Sequence, residues 1–235
     1  MPKKKFRLLA AAVGTAAMFA VSSASADLVY LPGDNALFQG SGLGAVNTLL
    51  TLTSPGSSST ETGAVFAVGA GLDVNGDALK GTSLYGLPSL GALGITSTSN
   101  LRLILNATEP AGNSITVSKL MLSFYDPLGA SLDSFTLASP VVIASTFTGI
   151  GKAGFAFGLD AAQAAAASSL LGASGTRFAD VRVGLAAALT DATGGPDTFF
   201  VGNAVQVAAI PEPSTYLLMF AGLACIGFTV RRRLG

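Results

Sequence analysis

Apolar and polar residues alternate in short runs along the middle of the chain, the pattern of half-buried β-strands. The longest alternations are Val181–Leu189 and Ser114–Tyr125. In the second, the phase shifts between Val117 and Leu120, which predicts a β-bulge. Four further segments are shorter or weaker strand candidates: Ala45–Thr53, Thr62–Val68, Leu101–Ala107 and Phe155–Leu159.

Two turn signals predict how some of these strands connect. Asp126-Pro127-Leu128-Gly129 is a tight-turn sequence and predicts a hairpin between Ser114–Tyr125 and a strand containing Leu132, Phe135 and Leu137. The Gly- and Pro-rich segment Asp191–Asp197 precedes Thr198–Val207, and we predict a second hairpin there, between Val181–Leu189 and Thr198–Val207.

A single helix is predicted within this β-rich region. Asp160 is a suitable N-cap with Gln163 as its capping-box partner, Ala161–Leu171 is rich in alanine, and Gly172 is a stop signal. Many short strands with one short helix favour an antiparallel β-sandwich of jelly-roll-like topology. We place this domain at residues 27–209.

The N-terminal segment, residues 1–26, has the organisation of a secretory signal peptide. Basic residues at positions 3–7 precede the apolar run Leu8–Val21, and the small residues Ala24 and Ala26 form the cleavage pattern. We predict cleavage by signal peptidase after Ala26, which leaves Asp27 as the mature N-terminus.

The C-terminal segment has the organisation of a short membrane helix. Residues 214–230 carry no charge, and Arg231, Arg232 and Arg233 follow at once. Seventeen residues span about 25 Å as a helix, close to the thickness of a bilayer core. Arginine clusters beside membrane helices stay on the cytoplasmic side. The chain between the two apolar segments is therefore predicted to lie on the opposite side of the membrane, outside the cytoplasm. Whether this helix remains in the mature protein stays open.

Pro211, Glu212 and Pro213 precede this helix and predict a rigid, extended strip. Together with the apolar segment and the arginine cluster, they resemble the PEP-CTERM sorting signal, over residues 210–235. The resemblance implies a Gram-negative bacterium that makes exopolysaccharide. It also implies processing by exosortase, a membrane protease-transpeptidase that recognises Pro211, Glu212 and Pro213. The chain is then a substrate rather than the enzyme.

Composition excludes several kinds of function. Thirteen basic and thirteen acidic residues balance, which excludes a broadly basic nucleic-acid surface. The chain has no His and a single Cys, Cys225, inside the apolar C-terminal segment. Cys/His zinc sites, His-ligated haem and His-dependent catalytic triads are therefore excluded.

The sequence of the exported domain offers two kinds of candidate acidic site. Asp73, Asn75 and Asp77 surround Gly76 and form a weak Ca²⁺ candidate, with an Asn-Gly turn as the alternative. Glu61 and Glu109 are the two glutamates of the domain, and nothing in the sequence places them opposite each other as a glycosidase pair. We therefore predict no enzymatic activity and no cofactor.

Carbohydrate binding requires exposed aromatic faces. Five aromatic residues are candidates, with packing in the core as their alternative role: Tyr30, Tyr85, Tyr125, Phe199 and Phe200. Asn106-Ala107-Thr108 matches a glycosylation sequon that we expect to be empty.

The sequence thus predicts an exported, non-catalytic surface or matrix protein, structural or adhesive within exopolysaccharide. The alternative is a carbohydrate- or Ca²⁺-binding β-sandwich delivered by the same route.

Overall fold

The computed structural model describes residues 27–38, 47–81, 83–110, 112–144 and 154–204. The predicted signal peptide and C-terminal sorting segment lie outside these ranges. The described residues are mostly β, as predicted. Their strands are β1 (Asp27–Tyr30), β2 (Asn47–Leu52), β3 (Thr60–Val68), β4 (Gly71–Gly76), β5 (Leu101–Asn106), β6 (Ser114–Tyr125), β7 (Ser131–Leu137), β8 (Val141–Ala144), β9 (Gly154–Leu159), β10 (Arg182–Thr190) and β11 (Asp197–Asn203).

The strands form one sheet instead of the two separate sheets of the predicted sandwich. Its order is β2-β11-β5-β9-β1-β7-β6-β10-β3-β4, and β8 pairs with β6. The short strand β1 joins the two halves, because it pairs antiparallel with β9 and parallel with β7. The sequence analysis did not predict β1. The prediction of two sheets failed because this strand connects them.

The sheet curls until its two ends meet. Leu52 of β2 forms an isolated bridge with Ala78, which follows β4, and Leu50 forms another with Tyr85. The Leu79 N–H also donates to the Thr51 carbonyl at 2.9 Å. We call this junction of β2 with residues 77–81 and 83–86 the seam. The curled sheet encloses the apolar core, so its inward residues are buried and its outward residues face solvent.

The hairpin predicted at Asp126–Gly129 is confirmed, and so is the bulge. The Gly129 N–H donates to the Asp126 carbonyl at 3.1 Å, and Gly129 has the positive φ of 89° that this turn requires. In the pairing of β6 with β10, Ala188 lies opposite Lys119 and Leu189 opposite Val117. The register therefore skips Ser118, within the predicted phase shift.

The second predicted hairpin is wrong. Both edges of β10 are occupied, by β3 and β6, while β11 pairs with β2 and β5. The loop after β10 consequently crosses from one half of the sheet to the other. Alternation alone identified both strands but could not identify their partners.

The helix α1 (Ala161–Ala173) begins as predicted but passes through Gly172 and ends two residues later than expected. Its buried residues, Ala164, Ala167 and Leu171, follow helical spacing. The Thr98 hydroxyl donates to the Ala164 carbonyl at 2.6 Å and anchors the helix to the start of β5. Among the described residues, no helix has the length and hydropathy needed to cross a membrane.

The capping box of α1 provides a test of local stability. The Gln163 N–H donates to the Asp160 carboxylate at 2.8 Å, and the Gln163 side chain accepts from the Asp160 N–H at 3.2 Å. Asp160→Ala removes both the cap and its favourable charge. We expect a loss of about 1 kcal/mol in the free energy of unfolding, measured by urea denaturation. Asp160→Asn should retain most of that stability, and equal losses in the two variants would contradict the capping role.

Candidate functional site

Three acidic side chains from distant parts of the chain meet beside the seam. Glu61 lies on β3, Asp197 begins β11, and Glu109 follows β5. All three are buried, with 1% of Glu61, 0% of Asp197 and 4% of Glu109 exposed. The structure thus brings together the two glutamates that the sequence could not place relative to each other, and adds Asp197. We call these three residues the acid cluster.

Each member of the acid cluster accepts hydrogen bonds from its surroundings. The Ser54 hydroxyl donates to Glu61 Oε1 at 3.1 Å, and the Thr108 N–H donates to Asp197 Oδ1 at 2.8 Å. Glu109 accepts from the Thr193 N–H and hydroxyl, the latter at 2.8 Å. Glu109 therefore holds the loop between β10 and β11 in place.

Burial raises the pKa of two of these acids. The pKa of Asp197 is raised from 3.8 to about 8, and desolvation by burial is the largest cause. The Thr108 hydrogen bond lowers this pKa, whereas the charges of Glu61 and Glu109 help to raise it. Desolvation also raises the pKa of Glu61, against the lowering effect of hydrogen bonds from Ser54. Burial therefore favours the protonated form of Asp197 at neutral pH.

The acid cluster does not have the form of an open catalytic or metal site. A catalytic acid must come within hydrogen-bond reach of its substrate, whereas these side chains are covered by the sheet and its loops. Nowhere in the described ranges do three or more His, Cys, Asp or Glu side chains form a group that could hold a metal ion.

A groove of about 680 Å³ lies on the outward face of the half of the sheet that contains β7, β6, β10, β3 and β4. Its floor includes Ala64, Ala186 and Ala188, which alternate along their strands with core residues. A second groove of about 430 Å³ adjoins it and includes Phe66 and Tyr125. The two grooves share one cross-strand row, which runs through Thr136, Met121, Ala186, Ala64 and Asn75 and contributes its last four members to both.

The five aromatic residues predicted as sugar-binding candidates occupy different environments in the structure. Phe199 and Phe200 are core residues, with 0% and 3% exposure. Tyr30 packs against Phe157 at 5.3 Å, and its hydroxyl accepts a hydrogen bond from Asn35. Tyr85 is half-buried against the core. Tyr125 lines the second outward groove.

The three Ca²⁺ candidate residues, Asp73, Asn75 and Asp77, make different contacts in the structure. Asp73 lies on the exposed edge strand β4 and accepts from the Val74 N–H at 2.8 Å. Asp77 accepts from the Thr62 N–H at 2.8 Å and fixes the end of that strand. Asn75 lines the outward grooves. The predicted alternative, an Asn-Gly turn, is confirmed at the end of β4, because the Ala78 N–H donates to the Asn75 carbonyl at 3.4 Å and Gly76 has a positive φ of 64°.

The sequon at Asn106 is enclosed by the fold. Asn106 ends β5 with 9% exposure, and the Thr108 hydroxyl donates to the Pro196 carbonyl at 2.9 Å.

Sequence reasoning missed both the acid cluster and the outward grooves. One signal for the grooves was available, since Ala64, Phe66 and Ala186 occupy outward positions where longer polar residues are usual. The acid cluster carried no comparable signal, because its members come from three separate segments.

The C-terminal segment of the chain indicates how the chain is routed. Residues 209–233 match the family model of the PEP-CTERM protein-sorting motif. The chain carries a PEP-CTERM sorting signal. This motif is the C-terminal signal of exosortase substrates, so the chain is exported and passes through a membrane-anchored stage before processing. No curated protein and no solved structure matches the chain. The PEP-CTERM signal thus indicates the export route of the chain, but it does not indicate what the β domain does.

Proposed function

We propose that this PEP-CTERM protein is a non-catalytic structural or adhesive protein of the cell surface or extracellular matrix, associated with exopolysaccharide. Signal peptidase and exosortase would be its processing partners. The sorting signal carries the proposal, because it marks the chain for export and membrane-anchored sorting, and a surface or matrix role is consistent with that route.

The sealed acid cluster supports a role without catalysis. Its carboxyls are acids that could act as a general acid and base only if a substrate reached them, and they are buried. The proposal includes no cofactor. One carboxylate oxygen of Asp73 and one of Asp77 accept backbone N–H groups, which gives both residues a structural role.

A deletion strain tests this proposal. We expect the deletion strain to lose matrix cohesion without a change in polysaccharide chain length. The wild-type protein and its Asp197→Asn variant should both restore cohesion at neutral pH. The variant removes an acid of the cluster but keeps the shape of the side chain. Failure of a normally exported Asp197→Asn protein to restore cohesion, together with altered polysaccharide length, would instead indicate an enzyme that uses the acid cluster.

The outward grooves favour carbohydrate binding as a second candidate function. Phe66 and Tyr125 offer aromatic surface for sugar rings, and Asn75, Lys119 and Thr136 offer hydrogen-bonding groups nearby. The ring of Tyr125 lies over Gly184, whose missing side chain leaves room for it. An extended polysaccharide could follow such a surface across the strands.

Replacing one aromatic residue tests this second candidate. We expect Phe66→Ala to weaken binding of the exported protein to polysaccharide from its own strain by about three- to tenfold, measured by calorimetry. Leu170→Ala is the matched control, because Leu170 is 53% exposed on α1, outside the grooves. Unchanged affinity in Phe66→Ala, or equal loss in both variants, would remove the grooves as the binding site.

A further inference from the structure

The acid cluster spans the place where the two ends of the curled sheet meet. Glu61 belongs to β3, near one end of the strand order, and Asp197 belongs to β11, near the other. Asp197 is paired with Leu52 of β2, and Ser54, just after β2, donates to Glu61. A bond between these two acids would therefore connect the ends of the sheet directly.

Two oxygens in this junction have no hydrogen-bond donor. Glu61 Oε2 and Asp197 Oδ2 are both buried, and neither has a partner when both groups are carboxylates. A carboxylate only accepts hydrogen bonds, so two facing carboxylates leave both oxygens unsatisfied. A single proton between them converts one carboxylate into a donor and satisfies both oxygens.

No positive charge offsets this pair. Glu61 and Asp197 interact with each other through their side chains, and the other groups that act on them are the Ser54 hydroxyl and N–H, the Thr108 N–H and the charge of Glu109. Among the described residues, no Lys or Arg side chain forms an ion pair with a member of the acid cluster. Burying two unpaired negative charges together is costly, which again favours retention of a proton.

We propose that Glu61 and Asp197 share one proton in a carboxyl–carboxylate hydrogen bond that latches the seam, and that loss of this proton in alkaline surroundings loosens the seam. The released proton passes to hydroxide or to buffer base, and two facing carboxylates remain. Their repulsion acts between β3 and β11. The loop after β10, which Glu109 holds, lies beside them.

The expected pH dependence follows from the direction of the shifts. Burial raises the pKa of Asp197 above its unfolded value of 3.8, to about 8, so the folded chain holds more protons than the unfolded chain between these values. The free energy of unfolding therefore falls as pH rises through this window, and the latch is lost above about pH 8. An exported protein experiences the pH of the medium, so the latch would respond to conditions outside the cell.

Asp197→Asn separates the latch from ordinary packing. The asparagine Oδ1 can still accept the Thr108 N–H, and its amide can donate to Glu61 Oε2 without any shared proton. We expect the melting temperature of the wild-type protein, taken from the cell envelope in mild detergent, to fall between about pH 6 and about pH 9 by about 5–10 °C more than that of Asp197→Asn. Asp160→Asn, which removes an exposed carboxylate elsewhere, should behave as wild type.

Infrared spectroscopy provides a direct readout of the proton. We expect a protonated-carboxyl band in the wild-type protein at neutral pH that disappears in Asp197→Asn. If Asp197→Asn does not fold, Glu61→Gln serves instead, since its amide can donate to Asp197 Oδ2. Parallel pH profiles of wild type and variant, or the absence of the band, would overturn the proposal. So would Ca²⁺ restoring the alkaline stability of the wild-type protein alone, because the acids would then form a cation site.

Discussion

Replacing Pro211, Glu212 and Pro213 together by alanine is expected to stop processing of this protein. The resemblance to the PEP-CTERM signal implies that this motif is the element exosortase recognises, and the sequence predicts that the two prolines hold an extended backbone beside the membrane. Without it, the chain should still be exported but should accumulate in the cell envelope at a higher mass. Fractionation followed by immunoblotting measures this directly, and we expect near-complete loss of the processed form.

Two controls make this result specific. Gln206→Ala changes a residue shortly before the motif and should leave processing intact. Replacing Arg231, Arg232 and Arg233 by lysine keeps the positive charge that sets membrane orientation and should preserve export. Normal processing of the triple alanine variant would show that Pro211, Glu212 and Pro213 are not the element that exosortase reads in this chain.

Phe124→Ala is expected to have the largest effect on the stability of the β domain. Phe124 is fully buried on β6 and meets Phe135 of β7 edge-to-face, with ring centroids 5.8 Å apart. Removing its ring leaves a cavity in the core and removes this aromatic pair. We expect the free energy of unfolding to decrease by about 3–5 kcal/mol, and chemical denaturation of the exported protein measures the change.

Leu128→Ala is the matched control for Phe124→Ala. Leu128 lies in the turn that follows β6 and is 75% exposed, so its truncation should change stability by less than about 0.5 kcal/mol. Similar losses in the two variants would mean that β6 does not pack into the core as described.

The parts of the fold that the sequence predicted correctly rest on local chemistry. The phase shift within Ser114–Tyr125 predicted the bulge at Ser118, and Asp160 with Gln163 predicted the start of α1. In both cases the signal and the structure it specifies lie within a few residues of each other. Gly172 was misjudged as the helix stop because the helical hydrogen bonding continues for one further residue, and Ser174 provides the C-cap.

The parts that the sequence missed depend on contacts between distant segments. Strand β1 has four residues, too few to show a period, yet it joins the two halves of the sheet. The two strands of the wrongly predicted hairpin were identified correctly, but pairing partners follow from the curl of the whole sheet. The acid cluster combines residues of β3, β11 and the segment after β5, and their burial arises only when the seam closes.

The routing of the chain, in contrast, was predictable from sequence because sorting signals are linear. The ordered combination of Pro211-Glu212-Pro213, an apolar segment and three arginines needs no tertiary context, and residues 209–233 match the corresponding family model. No such linear signal indicates the role of the β domain. Experiments on the acid cluster and on the outward grooves are therefore needed to establish that role.

Intact mass spectrometry of the protein recovered from its native cells tests the central claim most directly. We predict a species that begins at Asp27 and ends near Pro211, which would establish removal of the signal peptide and cleavage at the sorting signal. A mature protein whose mass extends to Gly235 would contradict this account, because the C-terminal segment would then be a permanent membrane anchor rather than a processed signal.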